Sequence, residues 1–125
     1  KKAVLLFLLS ACSYAEIRLV AVTHASCPAC QAWHKEIADN YPLKDQGDSL
    51  PSLTIYDVSN PDDLAWVHSH ISGINGLPTF ALMDGNSVKT TFAGYYGVSA
   101  FYTELKSRYS RYTISPRSTA SVKVP

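Results

Sequence analysis

The sequence predicts a single α/β domain in which a mixed central β-sheet is flanked by helices. Three observations lead there. The chain has 125 residues, the size of one hydrophobic core and too short for a multi-domain enzyme. Its composition, 46% apolar and 17% charged, is that of an ordinary globular protein. Its periodicities run strand, helix, strand, helix, strand, strand, helix, a βαβ unit followed by a ββα unit. A right-handed crossover then covers both faces of the sheet.

The first strand is Arg18 to Thr23, where Leu19, Val20, Ala21 and Val22 form the short continuous apolar run of a buried central strand. His24-Ala25-Ser26-Cys27 follows, then Pro28, which suits a first helical position because its missing N–H would be unpaired there anyway. Cys30, Trp33, Ile37 and Tyr41 mark one face of the resulting helix, with Gln31, Lys35, Asp39 and Asn40 elsewhere, and the helix stops near Tyr41-Pro42. Lys44 to Ser49 is a polar loop. Pro51 to Val58 makes the second strand, closed by the turn Ser59-Asn60-Pro61-Asp62, and Asp62 to Ile71 a short helix. Gly73 and Gly76 frame a loop into the third strand, Leu77 to Met83; Asp84-Gly85-Asn86 is a hairpin turn into a fourth, Ser87 to Phe92. Val98 to Tyr109 closes the domain as a helix, with Val98, Phe101, Tyr102, Leu105 and Tyr109 at helical spacing.

The two ends differ from this middle. Residues 1–15 begin with Lys1 and Lys2, continue almost wholly apolar to Ala11 and end in Ser13-Tyr14-Ala15, the three parts of a secretory signal peptide. The apolar run is too short to span a bilayer. Cleavage after Ala15 is preferred. Acylation at Cys12, in the lipobox-like Leu9-Ser10-Ala11-Cys12, is the rival, but it leaves only a handful of residues before the first strand. Both routes place the protein outside the cytoplasm, and the periplasm is expected. The domain then spans residues 16–109. Residues 110–125, rich in Ser, Thr, Pro and Arg and without an acidic side chain, read as a disordered tail.

Charge and cysteine count exclude other classes. A formal net charge of +1 gives no general field for a polyanion, so nucleic acid is not the expected partner. Three cysteines are too few for a disulfide-dense scaffold or an all-cysteine zinc site, though one pair with two histidines would suffice. No phosphate loop, nucleotide fingerprint or serine triad is present.

The chemistry sits at the first strand-to-helix turn, Cys27-Pro28-Ala29-Cys30. Residues at i and i+3 of a helix start lie one turn apart, close enough for a disulfide to form and break in one local frame. Cys27 falls at the helix N-terminus, where unpaired N–H groups and the helix dipole favour a thiolate; such sites lower a cysteine pKa from ~8.5 to roughly 3.5–7.5. Cys27 is therefore the expected nucleophile. Cys30, one turn in, is the expected resolving thiol that attacks the mixed disulfide between Cys27 and a client.

With the strand-to-helix setting of this motif and the segment Gly76-Leu77-Pro78-Thr79-Phe80, the sequence resembles the thioredoxin superfamily from Ile17 to about Tyr109. The resemblance implies the thioredoxin fold, a cis Leu77–Pro78 bond facing the cysteines, a backbone contact from Leu77 to the client, and Pro28 and Ala29 flanking it. Trp33, Glu36-Ile37, Tyr41-Pro42-Leu43 and Phe92-Ala93-Gly94-Tyr95 make it similar to the SoxS type, periplasmic reductases that keep the cysteine of a sulfur-oxidation carrier protein reduced. Two positions depart from ordinary thioredoxins: Ser26 replaces the tryptophan before the first cysteine, and Ala21 the buried aspartate that assists the resolving thiol. His34 and Glu36 are the candidate proton acceptors, against the plainer reading of two solvated side chains.

Only about 36 positions separate Tyr41 from Leu77, too few for the helical insertion of DsbA-type oxidases, and no dimerisation domain precedes the motif. The sequence thus predicts a monomeric reductase, without cofactor or bound metal, acting on exported client proteins. A membrane donor of the DsbD type supplies its electrons. The alternatives are a thiol oxidase and a carrier holding copper or zinc on Cys27 and Cys30 with His24 or His34. His68 and His70, two apart on a helix, point to different sides. A redox-inactive staple is disfavoured, because closing so short a loop constrains the unfolded chain little.

Overall fold

The apolar run Leu19 to Val22 lies at the centre of a four-stranded sheet, every residue of it fully buried. The computed structural model describes residues 16–41 and 50–113; the leader with Cys12, the loop 44–49 and residues 114–125 lie outside the described residues. The elements are β1 (Ile17–Thr23), α1 (Pro28–Glu36), β2 (Ser52–Asp57), α2 (Pro61–His70), β3 (Thr79–Asp84), β4 (Ser87–Ala93) and α3 (Val98–Thr113), with a 3₁₀ turn at Ala38–Asn40. The sheet order is β2-β1-β3-β4. β1 pairs parallel with β2 and antiparallel with β3, and β3 pairs antiparallel with β4, so the mixed α/β architecture is the expected one.

Alternation along β1 divides the core into two layers. Leu19 and Ala21 point to the face covered by α1 and α3, where Trp33, Ile37, Phe80, Phe101 and Leu105 pack. Val20 and Val22 point to the other face, against Val67 and Ile71 at the end of α2. On the first face Phe80 is the hub: its ring lies 5.2 Å from Trp33, 5.0 Å from Phe101 and 5.1 Å from Phe92. On the second, Tyr56, Trp66 and His70 stack in series at 4.1 and 4.2 Å. His68 and His70 form no joint site, since His70 turns its Nδ1 to the Trp66 carbonyl.

Three boundaries differ from the sequence reading by two residues or more. α1 ends at Glu36, and the chain tightens into i→i+3 bonds, Asn40 N–H to Ile37 C=O and Tyr41 N–H to Ala38 C=O. Pro42 keeps the residue before it out of helical geometry, and Tyr41 is extended (φ −83°, ψ 136°). Tyr41 is thus off the helix, yet it still packs on the core and donates its hydroxyl to the Pro51 carbonyl at 2.6 Å. β3 begins at Thr79, since Pro78 has no N–H to give the ladder. α3 runs on to Thr113, so residues 110–113 belong to the helix and not to the tail; Tyr112 extends the apolar stripe and donates to the Lys89 carbonyl on β4.

Candidate active site

Cys27 is the N-cap of α1, in extended geometry (φ −86°, ψ 117°), with Pro28 next to it. The turn leading in is held by Cys27 N–H to His24 C=O at 3.0 Å and by Gln31 Nε2 to Ala25 C=O at 2.8 Å. Ser26 N–H donates to His24 Nδ1 at 3.0 Å, which fixes that nitrogen as the acceptor and places the proton of the neutral ring on Nε2. Cys27 Sγ accepts the Cys30 backbone N–H at 3.1 Å. It also faces the Leu77 carbonyl at 3.8 Å. The half-buried Cys27 sulfur thus receives a helix N-terminal N–H donor.

Cys30 is the opposite case, only 1% exposed. Burial pushes its thiol up to about 12, helped by the hydrogen bond with Cys27 and by the charges of Cys27 and Asp57. No disulfide joins the two sulfurs in this structure.

The Leu77–Pro78 bond is cis, and it faces the pair as the resemblance implied. Pro78 is fully buried, and Thr79 Oγ1 closes the loop on the Gly76 carbonyl at 2.6 Å. The Pro78 carbonyl accepts the Gly94 N–H at 2.8 Å, which ties the segment after β4 to the cis-proline loop. Pro28 lies exposed and Ala29 half-buried beside the sulfurs.

The structure brings together Cys27, Cys30, Leu77, Pro78, Pro28 and Ala29. It does not bring His34 or Glu36 onto Cys30 by a hydrogen bond. His34 sets its ring edge-on to Trp33, and Glu36 accepts the Tyr95 hydroxyl. Nor do His24 and His34 complete a ligand set, since among the described residues no group of three or more His, Cys, Asp or Glu side chains could hold a metal. Sequence reasoning missed Asp57, whose charge reaches Cys30. Ser59, through its hydroxyl and N–H, holds the Asp57 carboxyl below its ordinary value. The signal was the parallel register that sets Thr23 beside Asp57, which shows only once β1 and β2 are paired. A groove of about 610 Å³ beside α1, lined by His24, Pro28, Gln31, His34, Glu36 and Asp57 among others, takes in neither sulfur. Of the two sulfurs only that of Cys27 reaches the surface.

This arrangement has close counterparts among solved structures. The chain is similar to the periplasmic thioredoxin SoxS of Paracoccus pantotrophus in its reduced form, with 28% identity over 75% of this chain and 95% of that one, at a TM-score of 0.59. The chain has the thioredoxin fold. Spinach chloroplast thioredoxin f (18% identity, 77% of this chain and 78% of that one, TM-score 0.52) and Fasciola hepatica thioredoxin (16%, 86% and 93%, TM-score 0.54) share it. Comparison with family models finds no match, and comparison with curated proteins finds none. With a CxxC pair at the start of α1, the thioredoxin-fold protein is a thiol–disulfide oxidoreductase. Among the described residues no helix of it is long and apolar enough to cross a membrane.

Proposed function

We propose that this oxidoreductase is a periplasmic reductase of client-protein disulfides, with Cys27 as the attacking sulfur and Cys30 as the resolving one. The observation that carries the reading is the asymmetry of the pair. Cys27 is half-exposed and accepts a backbone N–H, while Cys30 is buried with its thiol pushed up to about 12. Only a thiolate attacks a disulfide, so Cys27 engages the client and Cys30 stays protonated until it is needed.

The Cys27 thiolate attacks one sulfur of the client disulfide, forming a mixed disulfide and releasing the other client sulfur as a thiolate that takes a proton. Cys30 then gives up its proton and attacks Cys27 Sγ. The Cys27–Cys30 disulfide forms, and the second client thiol leaves. Two electrons and two protons pass to the client. Among the described residues no hydrogen-bond partner takes the Leu77 N–H, which leaves it for an extended client segment that pairs its backbone there. Pro28 and Ala29 border the same approach.

Two observations favour the reductase over the oxidase: only α2, of 10 residues, intervenes between β2 and β3, and the solved structure 28% identical to this chain is a periplasmic thioredoxin. On the resemblance to the SoxS type, the client is the cysteine of an exported sulfur-oxidation carrier. A membrane donor of the DsbD type returns the Cys27–Cys30 disulfide to the dithiol, and the protein acts as a monomer.

The test has two readouts. Cys30→Ser expressed in cells should accumulate a mixed disulfide through Cys27, and Cys27→Ser should not. A Cys27–Cys30 reduction potential near ~−270 mV supports the reductase, whereas one near ~−120 mV would make the protein an oxidase. Recovery of no trapped client from the first variant would overturn the assignment of the two sulfurs.

A further inference from the structure

We infer that the outer edge of β2 is a docking strand for an extended segment of a partner protein, apolar on one face and carrying an acidic residue opposite Thr54 on the other. The inference goes beyond the dithiol chemistry and does not depend on it. β1 stands between β2 and β3, so this edge is separate from the cis-proline loop that leads into β3.

β2 pairs with β1 alone. Val58 N–H bonds the Thr23 carbonyl at 2.8 Å, so Val58 turns its backbone groups inward, and alternation does the same for Tyr56, Thr54 and Ser52. The groups of Pro51, Leu53, Ile55 and Asp57 then point outward. Both ends of this outer row are capped by side chains. The Tyr41 hydroxyl donates to the Pro51 carbonyl, and the Asp57 N–H donates to Asp63 Oδ2 at 2.9 Å. Between the caps, Leu53 and Ile55 keep N–H and C=O without a partner among the described residues. The opposite edge of the sheet is guarded. β4 meets β3 across a register shift at Leu82/Met83, carries Lys89, and gives the Lys89 carbonyl to Tyr112 of α3. Bulges, lysines and covering side chains keep edge strands from pairing, and β2 has none of them from Leu53 to Ile55.

The flanks of the open row decide what fits there. On the α1 face Leu53 and Ile55 are only half-buried, and a groove of about 510 Å³ lined by Tyr41, Leu50, Pro51, Ser52 and Leu53 continues that apolar strip. On the α2 face Thr54 Oγ1 accepts Arg18 Nη1 at 3.2 Å, and the guanidinium sits 5.7 Å from the centre of the Trp66 ring. Arg18 has no carboxylate partner among the described residues. A strand added antiparallel to β2 exchanges backbone bonds with Leu53 and Ile55 and lays alternate apolar side chains on their strip. Its residue opposite Thr54 then lies beside the Arg18 cation. A glutamate there is attracted and a lysine repelled. The same charge argues against a second copy of this chain as the occupant, because pairing β2 with itself about Thr54 brings two Arg18 side chains together.

The test titrates isotope-labelled protein with the acetylated and amidated heptapeptide Val-Thr-Val-Glu-Val-Thr-Val, followed by amide NMR. Two relatives serve as comparisons: one has lysine in place of glutamate, and one is N-methylated at the two valines beside the glutamate. The glutamate peptide should shift the Leu53 and Ile55 amides most and bind roughly fivefold tighter than the lysine peptide. The N-methylated peptide, which lacks the N–H groups for the Leu53 and Ile55 carbonyls, should not bind. Arg18→Gln should bring the glutamate and lysine peptides within about twofold of each other and leave the reduction of a small disulfide unchanged. Shifts centred elsewhere, no shift at millimolar peptide, or equal affinity of the wild-type protein for the glutamate and lysine peptides would overturn the docking strand. Sedimentation showing that the protein alone dimerises, with the Leu53 and Ile55 amides protected in the dimer, would overturn it too and give the edge to a second copy.

Discussion

Reduced protein treated with iodoacetamide at pH 7 should lose Cys27 and keep Cys30. Burial, with the Cys27 hydrogen bond second, pushes the Cys30 thiol from an ordinary 9.0 up to about 12. Since only the thiolate attacks the reagent, that rise cuts the reactive fraction at neutral pH by about a thousandfold. At 1% exposure the reagent also has poor access to the sulfur, which slows the reaction further. Cys27→Ala separates the causes, because it removes the neighbouring charge and hydrogen bond but little of the burial. Cys30 in that variant should still react at least ~100-fold more slowly than an exposed cysteine. Its rate should also keep climbing about tenfold per pH unit beyond pH 10, where an ordinary thiol has levelled off. Mass-spectrometric mapping of timed, quenched samples reads both sulfurs at once. Labelling of Cys30 at the rate of an exposed cysteine, or a plateau near pH 9, would refute burial as the cause and with it the division of labour between the two sulfurs.

Three further outcomes follow from the packing and the titrating groups. Trp33 is fully buried, and its indole N–H has no partner among the described residues. Trp33→Ala should cost about 3–5 kcal/mol in urea unfolding, while Trp33→Phe, which keeps a ring and breaks no hydrogen bond, should cost clearly less; equal costs would contradict this. Asn60 Oδ1 accepts both the Asp62 and Asp63 N–H groups at the start of α2, so Asn60→Ala should lose about 1 kcal/mol and Asn60→Asp almost nothing. Burial raises the phenols of Tyr41, Tyr95, Tyr102 and Tyr109 above 10.0. The unfolded chain therefore releases protons near pH 10 that the folded chain keeps, and stability falls as pH rises from there. Thermal midpoints measured between pH 9 and 11 should drop; a flat profile would count against protonated tyrosines as a stabilising feature.

The fold was legible in the sequence because its core elements are locally consistent. The apolar run at Leu19 to Val22 needs burial on both faces and finds it; Pro28 can only begin a helix and does; Asp84-Gly85-Asn86 can only turn. The sulfurs were legible for the same reason, since the N-cap and the position one turn on belong to one local motif. What escaped was whatever depends on two distant segments meeting. Asp57 comes beside Thr23 only through the parallel register of β2 on β1. Glu36 was read as a candidate proton acceptor or a solvated side chain, and its partner is Tyr95, 59 residues away. The ends of α1 and α3 were misjudged by a few residues for a related reason. Tyr41 keeps its place in the core without a helix under it, and Tyr112 is drawn into the helix by a bond to β4 that periodicity alone does not show.

The position of β1 has a consequence for how the protein breathes. It is the one strand of this sheet flanked by a parallel neighbour on one side and an antiparallel neighbour on the other, and every residue from Val20 to Thr23 is buried. Amides in such a strand exchange with solvent only through opening of the whole domain, while peripheral elements open far more cheaply. Cys27 is four residues beyond the end of β1. The reactive sulfur is thus anchored to the slowest-exchanging part of the molecule, and fraying of the last turns of α3 leaves it in place. Deuterium uptake should accordingly be least in the segment leading into the cysteines and greatest at the far end of α3.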